Sequence, residues 1–456
     1  MARVFIISNR VALPNAGVQP GGLEVALKAT LRKHSCVWLG WSGEVNETPR
    51  TRRIERGDNS YVVTDLSPGD FDEYYNGFAN RVLWPILHYR LDLAEFTRRD
   101  LTGYLRVNAH FADQLAGMLG PRDIVWVHDY HLFPLAGALR ARGFTNPIGF
   151  FLHIPLPAPE ILAAMPNHET LISALQHYDL VGFQTDDDAA NFARYLAKES
   201  GATAHIARPI PGGERAMRIG VFPVGIETRR FARLAERAVR TKFVQQVMSS
   251  IPGALMIGVD RMDYSKGIPQ RLESYERFLA ANPQWHGKVT YLQITPKSRS
   301  QIKEYAEMEQ AVNAAAGRIN GAYSEAAWTP VRYVNRPYSR TALAGLYRAA
   351  RVGLVTPMRD GMNLHLAVAE LARAPFVFAS ACLPPMSSRN PRQCVITSAT
   401  ASAGRTRRSG TRQSSARFRL RLPTSDIFSQ SPEVWPLPLR RTNLFHPRSA
   451  LREIGR

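Results

Sequence analysis

Cysteine is almost missing from this sequence of 456 residues. There are three, Cys36, Cys382 and Cys394, and no C-x-x-C pair among them. That excludes a disulfide framework and the usual thiolate metal or redox motifs. No apolar run approaches the ~18 residues of a membrane-spanning helix. The opening run, Val4-Phe-Ile-Ile7 before Ser8-Asn9-Arg10, is too short for a secretory signal and reads as a first β-strand. A reducing cytoplasm is the expected location. Also lacking is the G-x-x-x-x-G-K-[ST] spacing of a Walker P-loop.

Negative charge is in short supply, with 38 acidic against 58 basic residues and a net charge of +20. The excess is uneven. Residues 365–456 hold 15 arginines, no lysine and 4 acidic residues, so the last fifth carries over half of it. The rest is only mildly basic, which suits phosphorylated small molecules and does not require nucleic acid.

What is present is a regular alternation. Short β-rich runs at Val4–Ile7, Val37–Leu39, Ile124–Val127, Ile148–Leu152, Leu180–Phe183 and Ile219–Phe222 are separated by helix-period segments such as Leu23–Leu31 and Asp186–Leu196. A second set has strands at Leu255–Val259, Val289–Ile294, Val331–Val334 and Val352–Val355. Its helices are Ile268–Ala281, Arg299–Ala315 and Arg340–Ala350. Such alternation predicts parallel sheets wrapped by helices. The pattern changes near Pro223-Val-Gly225, which predicts two α/β domains, 1–224 and 225–364, facing a cleft.

Ligands in open α/β sheets bind beyond the carboxyl ends of the strands, and polar residues recur there. Arg10 follows the first strand, His128-Asp129-Tyr130-His131 the third, and His153 the fourth. In the second set come Arg261, Asp263 and Lys266, then Arg299, then Arg359 and Asp360. Arg261 and Lys266 lie in a loop ending at Gly267 ahead of a helix, which suits a diphosphate: fixed cations plus free N–H groups. A solvated basic loop is the plainer reading. Gly21-Gly22 opens a helix and lets backbone approach an anion, although glycine pairs are common in turns. Tyr74-Tyr75 and Trp84 offer sugar-stacking faces or simple core. The His128–His131 cluster lacks the geometry and further ligands of a metal site.

Together these residues resemble the trehalose-6-phosphate synthases, retaining glycosyltransferases of the GT-B type with two Rossmann-like domains. The resemblance rests on Ser8-Asn9-Arg10, Gly21-Gly22-Leu23, Trp38–Gly43, Asp72–Asn76, Leu83-Trp84-Pro85, Trp126–Leu132, Gly149–Pro155, Tyr178–Thr185, Val259–Gly267, Gly317–Gly321 and Arg359–Leu364. It implies glucose transfer from UDP-glucose, or another nucleotide-glucose, to glucose 6-phosphate, giving α,α-trehalose 6-phosphate and UDP. It implies no cofactor, no metal, no membrane and no nucleic acid. Oligomeric state stays open.

By resemblance, Arg10, Tyr75, Trp84, Asp129 and Arg299 hold the acceptor. Gly21, Gly22, Arg261, Lys266, Tyr338, Asp360, Gly361, Met362, Asn363 and Leu364 hold the donor. Arg261, Lys266, His153 and Asp360 carry the chemistry. After Leu364 the likeness stops: Val-Ala-Lys-Glu is expected and His365-Leu-Ala-Val stands there. A reading-frame shift near codon 365 would produce this, leaving the donor domain truncated and turnover low. The alternative is a genuine basic arm on an inactive regulatory homologue, binding nucleic acid or another anion. No Asp-x-Asp-x-Thr run marks a fused phosphatase.

Overall fold

The computed structural model describes residues 2–13, 27, 31, 34–200, 207–210, 213–299, 301–362 and 377–378. Gly21, Gly22, Asn363, Leu364 and all but two positions of the tail 365–456 lie outside them, as does most of the helix expected at Leu23–Leu31.

The first sheet comprises β1 (Val4–Arg10), β2 (Cys36–Val45), β3 (Thr51–Arg56), β4 (Asn59–Leu66), β5 (Ile124–His128), β6 (Ile148–Phe151), β7 (Leu180–Phe183) and β10 (Arg218–Val221), in the order β10-β7-β6-β5-β1-β2-β4-β3. Between β7 and β10 the chain forms a separate hairpin, β8 (Ala207–Ile210) with β9 (Gly213–Ala216). All pairings of the large sheet are parallel except β3 with β4. The central strands read as continuous apolar runs because both faces are covered. In β1, Phe5 and Ile7 enter one core while Val4 and Ile6 enter the opposite one.

The second sheet has β11 (Ala254–Val259), β12 (Val289–Ile294), β13 (Val331–Val334), β14 (Val352–Val355) and β15 (Val377–Phe378), all parallel, in the order β13-β12-β11-β14-β15. Two further cores flank it, one with Met256 and Tyr291, the other with Ile257 and Leu292. No helix among the described residues is long and apolar enough to cross a membrane.

Strand order reverses between β1 and β5 in one sheet and between β11 and β14 in the other. A crevice opens at each reversal because successive connections leave on opposite sides.

One expectation needs correction, and two elements carry no expectation from the sequence. The helix expected at Arg299–Ala315 runs from Lys303 to Tyr323. Arg299 precedes it with φ of 49°, and the helix continues through Gly317 and Gly321, both facing open space. The hairpin β3–β4 was not anticipated: β3 is a charged, exposed edge strand, and its turn uses Gly57 at φ of 58°. Residues 71–83, read only for their aromatics, wind as a π-helix, a form that recurs near functional sites.

Candidate active site

The two reversal points carry the polar residues, and their side chains interact. At the first, Asp129 follows β5 with φ of 76°, a conformation non-glycine residues seldom take. Its carboxylate accepts from the His153 backbone N–H at 3.3 Å. Burial pushes its pKa up to about 6, against the opposing pull of the His153 and Tyr130 N–H groups and of Arg299 and Arg261. Those two arginines come from the second sheet, so the field at Asp129 is set from both sides.

Arg299 is enclosed by both halves. Its guanidinium lies 3.9 Å from the Trp84 ring centre. It donates to the Tyr305 hydroxyl at 2.5 Å and the Tyr130 hydroxyl at 3.2 Å, and approaches Asp263 at 3.5 Å. Its Nε is buried without a partner. Trp84 is therefore covered by a cation and buried, where the sequence offered it as an open sugar platform. Tyr75 keeps partial exposure, its ring beside Trp41, Phe71 and His131. Arg10, exposed at the end of β1, lies over Trp41 at 5.7 Å, against Gly43.

At the second reversal point, the Lys266 ammonium meets the Asp360 carboxylate at 2.5 Å, both largely buried. Burial would raise the Asp360 pKa, but Lys266 holds it below the usual range. Gly267 has φ of 60°, and a Cβ there would stand 2.3 Å from the Thr356 carbonyl oxygen, so both the backbone conformation and the close approach require glycine. The basic loop is thus half-buried and pinned to the loop after β14, which disfavours the plain solvated reading.

Beneath it sits a network the sequence did not single out. Arg271, from the helix Ile268–Ala281, pairs with Asp260 at 2.6 Å. It also donates to Thr356, Gln293 and the Lys266 carbonyl. Asp263 was noted only as a neighbour of two cations. It is fully buried and accepts from the Ser265 N–H. Burial would raise it, yet Arg299, Arg261 and Lys266 hold it below the ordinary carboxylate range. Tyr305, which grips Arg299 with Tyr130, was missed, and Tyr130 was noted only as part of the strand-end cluster; their contacts reveal the role.

Not every expected residue joins this cluster. Tyr338 packs on Phe243 and under Arg336. Gly361 and His153 meet backbone to backbone, while Met362 is half-buried beside them in sequence.

The arrangement gathers fixed cations, a carboxylate pair and aromatic walls where two α/β sheets converge, which suits a phosphorylated sugar facing a nucleotide diphosphate. Comparison with known proteins agrees. The model for glycosyltransferase family 20 matches residues 14–369. The trehalose-6-phosphate synthase of Sinorhizobium fredii (strain NBRC 101917 / NGR234) is 51% identical over 371 residues, 80% of each chain. Among solved structures, the UDP-forming α,α-trehalose-phosphate synthase of Burkholderia xenovorans in complex with glucose-6-phosphate aligns with a TM-score of 0.78 and 41% identity, covering 83% of this chain and 85% of that one. A trehalose-6-phosphate structure from E. coli bound with UDP-2-fluoro glucose gives 0.76 and 42%, covering 83% and 84%.

Proposed function

The chain belongs to glycosyltransferase family 20, and on that premise we propose that it transfers glucose from UDP-glucose to glucose 6-phosphate, forming α,α-trehalose 6-phosphate and UDP. The observation that carries this reading is 51% identity to a trehalose-6-phosphate synthase over 371 residues. We assign residues 1–224 to the acceptor domain and 225–364 to the donor domain.

The residue roles follow from chemistry. Arg299 would take the acceptor phosphate: it stays charged, its Nε is a spare donor, and its short bonds go to two neutral phenols that an anion can outcompete, with Asp263 only at 3.5 Å. Arg10 would swing from Trp41 to join it, and Asp129, Tyr75 and Trp84 would orient the acceptor sugar. As UDP departs, charge grows on the β-phosphate, and Arg261 and Lys266 would stabilise it. Asp360 holds Lys266 ready beforehand, so little reorganisation is needed in the transition state. Asp360, Gly361 and His153 would hold the transferred glucose, Gly21-Gly22 would serve the donor diphosphate, and Tyr338, Met362, Asn363 and Leu364 the nucleotide side. Transfer on one face, the leaving phosphate taking the acceptor proton, needs the two sugars aligned and water excluded.

We assign the reaction to the cytoplasm. Cys36 is a free, buried thiol whose pKa burial pushes up to about 12, inert in a reducing compartment. The test is incubation of the purified chain with both substrates. Equimolar UDP and α,α-trehalose 6-phosphate are expected, at low turnover if the donor domain is truncated. Neither product nor binding of either substrate would overturn the proposal.

A further inference from the structure

His128 lies directly behind His153, and its environment restricts where protons can sit. Its Nδ1 is 3.0 Å from the His153 Nε2, so one ring must donate to the other. Its own Nε2 is buried without a hydrogen-bond partner, among the rings of Trp126, Phe151 and His153. Both rings are neutral near pH 7: burial pushes His153 down to about 3 and His128 well below its ordinary value.

Two neutral arrangements remain. If His153 donated from Nε2, the His128 proton would sit on Nε2, a buried N–H with no acceptor. If His128 donates from Nδ1, its buried Nε2 is a bare lone pair. Buried N–H groups without an acceptor are rarer than under-used acceptors. The second arrangement wins. It leaves His153 accepting at Nε2 and carrying its proton on Nδ1, the only ring nitrogen remaining for a ligand.

We infer that His128 is a positioning residue that fixes His153 as an Nδ1–H donor, so that His153 gives a hydrogen bond to an oxygen of the transferred sugar and does not act as a base. The part concerning the sugar rests on the function proposed above. The tautomer does not, and the two separate experimentally.

The test begins with the full chain labelled with 15N in its histidine rings. Two-bond 1H–15N spectra are recorded, with His153 assigned by its loss in His153→Gln and His128 by its loss in His128→Asn. Both rings are expected with the proton on Nδ1 and a bare Nε2. A proton on the His153 Nε2, or a charged ring at either position near pH 7, would overturn the inference whether or not the chain turns over. In the active protein, His128→Phe keeps a ring but removes the donor. It is expected to lower turnover about tenfold without changing the KM for glucose 6-phosphate. His128→Asn keeps an N–H near the same point and is expected to recover most of that loss. Equal activity of both variants with the unmutated protein would refute the positioning role. Expected tautomers in a chain without activity would support the tautomer assignment while counting against the proposed function and the sugar contact.

Discussion

The backbone of Gly361 lies against the carbonyl of His153 so closely that a Cβ on the glycine would stand 2.2 Å from that oxygen. Gly361 follows the second sheet's reversal point and His153 belongs to the first sheet, so this is a contact between the two walls of the cleft. Flanking it are two reciprocal cation–π pairs. Arg359 lies 4.3 Å from the Tyr89 ring, and Arg90 lies 5.5 Å from that of Tyr264. Tyr89 itself has φ of 64°, a strained backbone held where the walls meet.

Gly361→Ala is expected to keep the walls apart. No flexible side chain can give way, because the clash is with backbone. A displacement of about 1 Å in the donor loop costs up to about 10² in rate. Turnover should fall by that order while Tm stays close to that of the parent, since neither sheet loses packing. Initial rates beside a thermal melt check this; an alanine variant at full rate would show that the contact is not needed in the reacting state.

Lys266→Ala removes both the cation proposed to face the leaving phosphate and the partner of Asp360. Loss of one preorganised donor is expected to lower turnover about 10²–10³-fold, with little change in the KM for glucose 6-phosphate, whose phosphate is assigned above to Arg299. The Asp360 pKa should rise once burial acts unopposed. Steady-state kinetics with each substrate varied separates the effects, and a large rise in acceptor KM alone would move Lys266 to the acceptor side.

Much of this was legible beforehand because buried parallel strands are apolar runs. β7, β12, β13 and β14 fall at the residues the sequence indicated. Strand ends then gave Arg10, Asp129, His153, Arg261, Lys266, Arg299 and Asp360, since the fold class fixes which end faces the ligand. The charged strand β3 has no apolar period to betray it. Arg299 was expected to open a helix but takes φ of 49° ahead of it, enclosed by Trp84, Tyr130 and Tyr305, partners that are distant in sequence or beyond local periodicity. Arg271 read as one more polar helix residue. Its role appears only when Asp260, Gln293 and Thr356, distant in sequence, surround it.

Arg271 gives the third expectation. Replacing it by Met strands Asp260, which is buried and would keep an uncompensated charge. Breaking such a pair typically costs about 3–5 kcal/mol. The Lys266 carbonyl and Thr356 lose their common donor as well. Arg271→Met should lower Tm by several degrees and turnover further than unfolding explains. Adding Asp260→Asn should recover part of the Tm but not the rate. Full rescue of both by the double variant would reduce Arg271 to a purely structural role.

Acid should weaken the fold at a pH set by histidines. His88, His128, His131 and His153 cluster at the cleft and are held neutral. Burial pushes His88 down to about 4, against Asp263 and the Trp84 carbonyl, and His153 to about 3. His128 and His131 lie well below their ordinary values for the same reason. Below pH 6.5 the unfolded chain binds these protons and the folded one does not, so stability present above 6.5 is lost as pH falls toward 4. For His88 alone the loss is about 3 kcal/mol. Asp129 works the other way: with its folded pKa raised to about 6, the native state protonates first, returning about 3 kcal/mol between pH 6 and 3.8. Four histidines outweigh one aspartate. Asp263 and Asp360, held low, lose their contribution only below the ordinary carboxylate range. Tm should therefore fall steadily from pH 7 to 5, and His88→Gln should flatten that slope. A Tm that is level or rising over this interval would mean the cleft histidines take up protons without cost.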